Sequence, residues 1–461
     1  MGLDVLAIVL ALFLLMAIAY RGLPVILFAP PCALLAVGLS GRPLLPMYTE
    51  TFMTSAAGYV RSFFPLFLLG AVFGKLMETS GAAGSIAAVI ARVLGPRHSI
   101  LAVVLACGIL TYGGVSLFVV AFAVYPFASA LFREAAIPKR LIPGTIALGA
   151  FTLTMDALPG SPQIQNLIPT RYFGTDAYAA PLAGTLGGMS VLLGGLLWLE
   201  RRRSRAAAAG EGYGTGHLHE PEPHPDARRP HVALALVPLG LVLGGNFVLS
   251  RTSWSVARWY SPELMAREFP AANMAASAPT WSLTIALLLG IAAALVLGAG
   301  RWRGRLSPAL SAATTGALLA IFNTASEVGL GNTVKTLPGF RAIQEFVFLP
   351  SKHVLISEAV AVNVLAGVTG SASGGLSIVL DVMSPRYLEL ARLQDISPEL
   401  LHRVAAMASG GMDTLPHNGA VITLLAITGL THRTSYADIF IITLLKTVAV
   451  FAVAAIASAI A

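Results

Sequence analysis

Long apolar segments alternate with short polar or glycine- and proline-rich stretches along the whole chain. The longest apolar segments cover residues Val5–Ala19, Leu23–Leu39, Ile100–Leu110, Leu182–Leu199, Val232–Leu249, Trp281–Leu297 and Ile439–Ile460. A helix needs roughly 20 mostly apolar residues to cross a bilayer, and several of these segments are long enough. The pattern therefore predicts an all-α polytopic membrane protein. We interpret the first segment as a retained helix rather than a signal peptide, because no basic stretch precedes it.

The composition favours a membrane protein over a soluble one. Hydrophobic residues make up 56% of the 461 residues and charged residues only 11%, whereas soluble domains carry about 25% charged residues. The net charge of +8 requires no nucleic-acid partner, because basic residues cluster in loops as the positive-inside rule leads one to expect. Cys32 and Cys107 lie in apolar segments and form no metal motif. We therefore expect no metal and no cofactor apart from a coupling ion.

A polar segment, residues 200–231, divides the chain into two parts of similar length, residues 1–199 and 232–461. It is rich in glycine, proline and arginine and has no apolar periodicity, which predicts a flexible linker between two membrane repeats. Its arginines predict that the linker lies in the cytoplasm, and we then expect the first helix to begin on the periplasmic side of a bacterial inner membrane.

The two halves share short motifs in the same order and at nearly the same spacing. Residues Gly113–Ser116 resemble Gly374–Ser377, and residues Met155–Pro159 resemble Met412–Pro416. This likeness indicates an internal duplication, and the distribution of charge indicates that the two repeats are inverted relative to each other. Inverted repeats supply two states of similar energy that face opposite sides of the membrane, as alternating access requires.

Four clusters of small and polar residues interrupt the apolar segments. We predict tips of re-entrant hairpins at residues 111–116 and 369–377, and unwound points of discontinuous helices at residues 155–162 and 412–419. Irregular backbone at membrane depth survives only inside protein or around a wet cavity. A helix that starts at such a break directs free N–H groups and its positive end toward the gap, which favours an anion. The alternative is that small residues merely let the helices pack closely. The predicted substrate-binding residues are Gly113, Gly114, Ser116, Ser161, Ser371, Ser373, Gly374, Ser377, His417 and Asn418.

The presence of ionisable residues inside apolar segments requires an explanation, because a charge at the bilayer centre costs about 2.5–3.5 kcal/mol on insertion scales. The predicted cation-coupling residues are Asp156, Asp413, His417, Asn323 and Glu327. The two aspartates occupy equivalent places beside the breaks, where each could bind the coupling cation or cap the following helix. His417 suits proton transfer or anion binding because an imidazole titrates near neutral pH; it could equally be a hydrogen-bonded interior histidine. Asn323 and Glu327 could form a cation site or a polar contact between helices.

Three stretches of the chain resemble the gluconate permease family of the ion transporter superfamily. They are residues 73–82, residues 113–118, and residues 411–422 followed by Gly429-Leu430-Thr431-His432. The resemblance implies proton-coupled uptake of small hydroxy or sugar acids by a homodimer whose transport parts move against a scaffold like an elevator. The first hairpin departs from members that take gluconate, because Leu117-Phe118-Val119-Val120 lacks their acidic residue. Pro416-His417-Asn418-Gly419 is more similar to permeases for short hydroxy acids such as 3-hydroxybutyrate.

These observations predict a secondary active transporter rather than an enzyme. The expected activity is import of a small organic acid anion, a hydroxy monocarboxylate such as 3-hydroxybutyrate or a sugar acid, by symport with a cation, first of all a proton. The expected partners are this anion, the lipid bilayer and a second copy of the chain. Alternatives are a sodium-coupled carboxylate carrier, an anion exchanger and a passive channel. A remote alternative is an intramembrane serine hydrolase built on Ser373 and His417.

Overall fold

The computed structural model describes residues 2–21, 23–115, 117–217, 220, 230–252, 254–270, 274–302, 304–340, 342, 353–416 and 418–460. Within these residues every regular element is helical. The helices of the first half are α1 (Gly2–Tyr20), α2 (Val25–Leu39), α3 (Leu44–Pro46), α4 (Thr54–Thr79), α5 (Ala82–Leu94), α6 (Ser99–Tyr112), α7 (Leu117–Glu134), α8 (Ile142–Ala150), α9 (Leu153–Asp156), α10 (Ile164–Phe173) and α11 (Pro181–Ala208). A π-helical segment, Met47–Met53, joins α3 to α4.

The helices of the second half are α12 (Val232–Arg251), α13 (Pro262–Glu268), α14 (Met274–Leu297), α15 (Leu306–Lys335), α16 (Val354–Thr369), α17 (Ala372–Leu393), α18 (Pro398–Ser409), α19 (Gly419–Thr428) and α20 (His432–Ile460). Apart from the four-residue helix α9, the order of long and short helices from α6 to α11 is the same as that from α16 to α20. The short helices α10 and α19 both have 10 residues and both follow a break. This likeness supports the duplication, whereas the inversion of one half relative to the other stays a prediction.

The predicted membrane class is confirmed. In the part of the chain that the structure describes, six helices are long and apolar enough to cross a membrane: Leu44–Thr79, Pro181–Ala208, Val232–Arg251, Ser277–Leu297, Leu306–Lys335 and His432–Ala459. A seventh span is obtained if α5 and Pro96–Tyr112 are counted together, but these two helices are bent by 108° at Gly95.

Close helix crossings depend on glycine at several places. A Cβ on Gly195 of α11 would lie 2.3 Å from Leu148 of α8, and a Cβ on Gly149 of α8 would lie 2.5 Å from the carbonyl oxygen of Val104 on α6. Small residues let membrane helices approach closely and gain van der Waals contact. Close packing therefore explains these two glycines, which lie outside the four predicted breaks.

Helix α11 continues past residue 199, the predicted end of the first repeat, to Ala208. Its extension is rich in arginine and alanine, which are strong helix formers. Arg202 in this extension pairs with the buried Asp438 at the start of α20 at 2.9 Å. Glu211 and Glu220 then bond to Arg140 at 2.7 Å and Lys139 at 2.8 Å. The beginning of the predicted linker is therefore bound to the helices, whereas residues 218–219 and 221–229 lie outside the described residues.

Candidate functional site

The backbone leaves the helical conformation at all four predicted places. Gly113 and Gly114 follow the end of α6, and Gly114 has a φ of 94°. Gly370, with a φ of 65°, and Ser371, in an extended conformation, separate α16 from α17. Residues 157–163 separate α9 from α10, and residues 410–418 separate α18 from α19. The helices are therefore discontinuous where glycine, serine and proline interrupt the apolar segments.

Each half holds its two breaks together through one amide side chain. Gln163, just before α10, donates from its side-chain amide to the carbonyl oxygens of Thr111 at 2.7 Å and Val115 at 3.2 Å. Asn418, just before α19, donates in the same way to the carbonyl oxygen of Gly370 at 2.7 Å. The two amides occupy equivalent places, so the same device joins the hairpin tip to the unwound point in both halves.

Asn418 also caps the helix that follows it. Its Oδ1 atom accepts hydrogen bonds from the backbone N–H groups of Ala420 at 2.6 Å and Val421 at 3.1 Å. Such a cap satisfies the free N–H groups at the start of a helix. A residue predicted to bind substrate thus has a structural role in this conformation.

The two break aspartates meet at one lysine that the sequence analysis missed. The Nζ atom of Lys446, in the middle of α20, lies 3.5 Å from Oδ2 of Asp156 and 3.3 Å from Oδ1 of Asp413. All three side chains are buried. Gly410 makes room for this cluster, because a Cβ there would lie 1.8 Å from Oδ2 of Asp156. The Asp156–Lys446–Asp413 cluster therefore joins the unwound points of the two halves, and its formal charge is −1 with both carboxyl groups ionised.

A second buried cation, Arg403 of α18, stabilises the irregular backbone of the first half. Its guanidinium group donates to the carbonyl oxygens of Ala179 at 2.8 Å and Asp156 at 3.2 Å, and to Oδ1 of Asn166 at 2.8 Å. Backbone carbonyl groups that no helix satisfies need such donors. Arg403 therefore crosses from the second half to hold the unwound segment after α9.

The second hairpin tip is lined with polar groups. Ser371 caps α17 by accepting from the N–H of Gly374 at 3.0 Å, and the hydroxyl groups of Thr324 and Ser373 lie 3.4 Å apart. The carboxyl group of Glu327, on α15, interacts with the Ser371 hydroxyl. A Cβ on Gly374 would lie only 1.5 Å from Oε2 of Glu327, so this carboxyl group is directed at the first turn of α17.

Three buried polar atoms around this tip lack hydrogen-bond partners among the described residues: Oε2 of Glu327, the Tyr59 hydroxyl and Oγ of Ser377. Tyr59, on α4, faces both Ser377 and Glu327. Buried polar groups are nearly always hydrogen-bonded to protein or water, so each exception needs an explanation. We name Tyr59, Glu327, Ser371, Ser373 and Ser377 the second-tip cluster.

The first hairpin tip has more apolar surroundings, apart from the Gln163 amide that bonds the carbonyl groups of Thr111 and Val115. A Cβ on Gly113 would meet the side chain of Leu239 at 2.3 Å, and a Cβ on Gly114 would meet Pro162 at 3.3 Å and Val242 at 3.6 Å. The two tips therefore resemble each other in backbone but differ in the groups that they face.

The remaining predicted residues are placed as follows. Ser161 is buried and its hydroxyl donates to the carbonyl oxygen of Thr154 at 2.5 Å. Asn323 accepts from the backbone N–H of Ile26 at 3.0 Å and so caps the start of α2, although it is only one turn from Glu327. Ser116 and His417 lie outside the described residues. Within the described residues no group of three or more His, Cys, Asp or Glu side chains has a geometry that could hold a metal ion.

Comparison with known proteins agrees with this architecture. The sequence profile of the GntP family permeases matches residues 2–322. The uncharacterized transporter YxjC of Bacillus subtilis (strain 168) is 51% identical over 469 residues, covering 99% of either chain. The crystal structure of the YdaH transporter from Alcanivorax borkumensis, which has an unusual topology, superposes with a TM-score of 0.56 at 16% identity over 88% of this chain and 87% of that chain. The last likeness concerns the fold alone, but the first two show that this chain belongs to the GntP permease family of multi-pass membrane transporters.

Proposed function

We propose that this permease imports a small hydroxy monocarboxylate, such as 3-hydroxybutyrate, together with a proton. The observation that carries the proposal is the Asp156–Lys446–Asp413 cluster, which links the unwound points of both halves through buried ionisable groups. A movement of one half against the other would separate or reform these charge contacts. The energy of the cluster then depends on the conformational state, which is the property that ion coupling needs.

A proton is the coupling ion that best suits this cluster. A sodium ion between two carboxylates would have to occupy the position of the Lys446 ammonium group, 3.3 Å from Asp413 and 3.5 Å from Asp156. Since the cluster has a formal charge of −1, one proton is enough to neutralise it. Burial in a low-dielectric surrounding favours the neutral form of such a group.

We place the substrate carboxylate at the second hairpin tip. The first turn of α17 supplies N–H groups and the positive end of a 22-residue helix. Ser371 and Ser373 add hydroxyl groups that suit a hydroxy acid. A short substrate fits this proposal because its carboxylate and its hydroxyl group can both bond to the first turn of α17.

Uptake into proteoliposomes tests the function. Purified protein is reconstituted and the uptake of labelled 3-hydroxybutyrate is followed with an inward proton gradient, with an inward sodium gradient at equal pH, and with no gradient. Accumulation driven only by the proton gradient is expected. Accumulation driven only by sodium would indicate a sodium-coupled carrier, and uptake only against internal carboxylate would indicate an exchanger. Flux that never saturates would indicate a channel, and each of these results would refute proton symport.

The arrangement in the cell is part of the proposal. Residues 200–231 lie in the cytoplasm, the N-terminus lies in the periplasm, and two copies form a homodimer. Labelling of single cysteines introduced at Gly216 and Gly41 in intact cells tests the orientation. Only the second position should react with a membrane-impermeant reagent. Light scattering of the detergent-solubilised protein tests the dimer.

A further inference from the structure

The N-terminus of α17 already has an anionic group of the protein directed at it. Glu327 is 3% exposed, its Oε2 atom has no hydrogen-bond partner among the described residues, and it points at the place where Gly374 has no side chain. The first N–H groups of a helix have no partner within the helix, and its positive end favours negative charge. The carboxyl group of Glu327 is therefore directed at the turn that the substrate carboxylate would use.

Two carboxylates cannot share this turn at low cost. Two negative charges about 4 Å apart repel each other strongly away from bulk water, and each also loses solvation when it is buried. A proton on one of them removes the repulsion and creates an O–H donor for the other. The binding of an anion and the binding of a proton are thus linked at this position.

We propose that Glu327 is an internal carboxylate that competes with the substrate for the N-terminus of α17, so that the substrate binds only when Glu327 takes up a proton. This inference rests on the proposed function and refines it: Glu327, rather than the Asp156–Lys446–Asp413 cluster, takes up the proton that enters with the substrate, while the charge contacts of the cluster still depend on the conformational state. The binding step is balanced as ionised Glu327 plus one proton plus one substrate anion giving neutral Glu327 and the bound anion. One proton then enters with each monocarboxylate.

The other titratable groups near Glu327 do not compensate its charge. From α4, Tyr59 faces it, while Arg61 is exposed and Lys75 pairs with Glu78 at 3.0 Å. From α17, Asp381 accepts from Tyr172 at 3.2 Å and also bonds Asn332.

Among the residues that the structure describes, the remaining packed segments add no cation at this carboxyl group. The segment Met47–Met53 contributes only the exposed Glu50 as a charged residue, and α2 contains none. Lys335, on the last turn of α15, is exposed and donates to the carbonyl oxygen of Asp381. Since none of these residues supplies a cation to the Glu327 carboxylate, we infer that it is neutralised by taking up a proton.

The test compares wild type with Glu327→Gln, which mimics the neutral carboxyl group, and with Glu358→Gln as a matched control. Glu358 is a fully buried carboxyl group on α16 without hydrogen-bond partners among the described residues, but it lies near Tyr387 and not at a helix N-terminus. The apparent Kd of labelled 3-hydroxybutyrate is measured from pH 5 to pH 9. Infrared difference spectra record protonated carboxyl groups on addition of the substrate.

The wild type and Glu358→Gln should bind more weakly as the pH rises, by about tenfold per pH unit in the alkaline range for one linked proton. Glu327→Gln should bind equally well at all these pH values and should lack the protonated-carboxyl band that appears when substrate binds to the wild type. In proteoliposomes it should exchange substrate but not accumulate it on a proton gradient. If Glu327→Gln yields no folded protein, Glu327→Asp, whose carboxylate is withdrawn by one methylene group, should bind more tightly than wild type at pH 8.

The competition would be overturned if Glu327→Gln kept the pH dependence of the wild type. It would also be overturned if Glu358→Gln too lacked the protonated-carboxyl band that appears when substrate binds to the wild type. Both results would leave the transport function intact. A folded Glu327→Gln that binds no substrate would also overturn the competition. Failure of the wild type itself to bind any of 3-hydroxybutyrate, lactate and gluconate would instead reject the proposed function, and the competition with it.

Discussion

Replacing Lys446 by methionine removes the only cation of the Asp156–Lys446–Asp413 cluster and keeps an unbranched side chain that is one atom shorter. At an effective dielectric constant near 20, unit charges 3.3–3.5 Å apart attract each other by about 5 kcal/mol per pair, before the cost of burial is subtracted. Measured losses on breaking a buried ion pair are about 3–5 kcal/mol, because the partner is left as an uncompensated buried charge. Here two carboxyl groups lose the same partner, so we expect a loss of at least this size.

The matched control is Lys75→Met. Lys75 pairs with Glu78 one turn away at 3.0 Å, but its side chain is 31% exposed. Partly exposed pairs of this kind contribute about 0–1 kcal/mol. The apparent Tm of both variants is measured in one detergent at one heating rate, because unfolding of such proteins is commonly irreversible. Lys446→Met should lower the Tm by roughly 3–5 °C and Lys75→Met by no more than about 1 °C.

Charge-neutral combinations test the electrostatic explanation itself. Asp156→Asn alone leaves Lys446 paired with Asp413 and a net charge of zero, so we expect a smaller loss than for Lys446→Met. The triple variant with Asp156→Asn, Asp413→Asn and Lys446→Met contains no charge and should recover much of the lost stability. If Lys446→Met is no less stable than Lys75→Met, or if the triple variant is the least stable of all, the cluster is not held together by charge.

Three further predictions concern the breaks and the ion pair between Arg140 and Glu211. Gly410→Ala should abolish accumulation of substrate, because a Cβ there would lie 1.8 Å from Oδ2 of Asp156. Gly419→Ala, where a Cβ would meet no atom of the described residues within 4 Å, should transport normally; proteoliposome uptake decides between them. Asn418→Ala should lower the free energy of unfolding by about 1 kcal/mol or more through loss of the helix cap, and a wild-type Tm would refute this. The Arg140 guanidinium group, which donates two hydrogen bonds of 2.7 Å to Glu211, lowers the pKa of that carboxyl group. A carboxyl group whose pKa is lower in the folded state stabilises the protein at pH values above its ordinary pKa of about 4.3. This stabilisation is lost as the pH falls through the lowered pKa. Glu211→Gln should therefore have a slightly lower Tm than wild type at pH 7 and an equal Tm in strong acid; an equal Tm at pH 7 would contradict the assignment.

The sequence alone determined the class of protein and the places where the helices break. Apolar length is a local property, because a span must satisfy its own backbone hydrogen bonds within one segment. Glycine, serine and proline act locally in the same way, so the four interruptions could be read from the sequence. The duplication of Met155–Pro159 as Met412–Pro416 pointed to Asp156 and Asp413 as a related pair for the same reason.

Only the tertiary structure decided which groups these residues contact. Lys446 is a single charge within the apolar segment Ile439–Ile460 and Arg403 lies in an ordinary amphipathic helix, so neither is linked to the breaks by sequence spacing. The difference between the two hairpin tips was equally hidden, because Leu239 and Glu327 come from helices far away in the chain. Local pattern fixes where free backbone groups occur, whereas the charge or apolar group that faces them depends on helix packing between the halves.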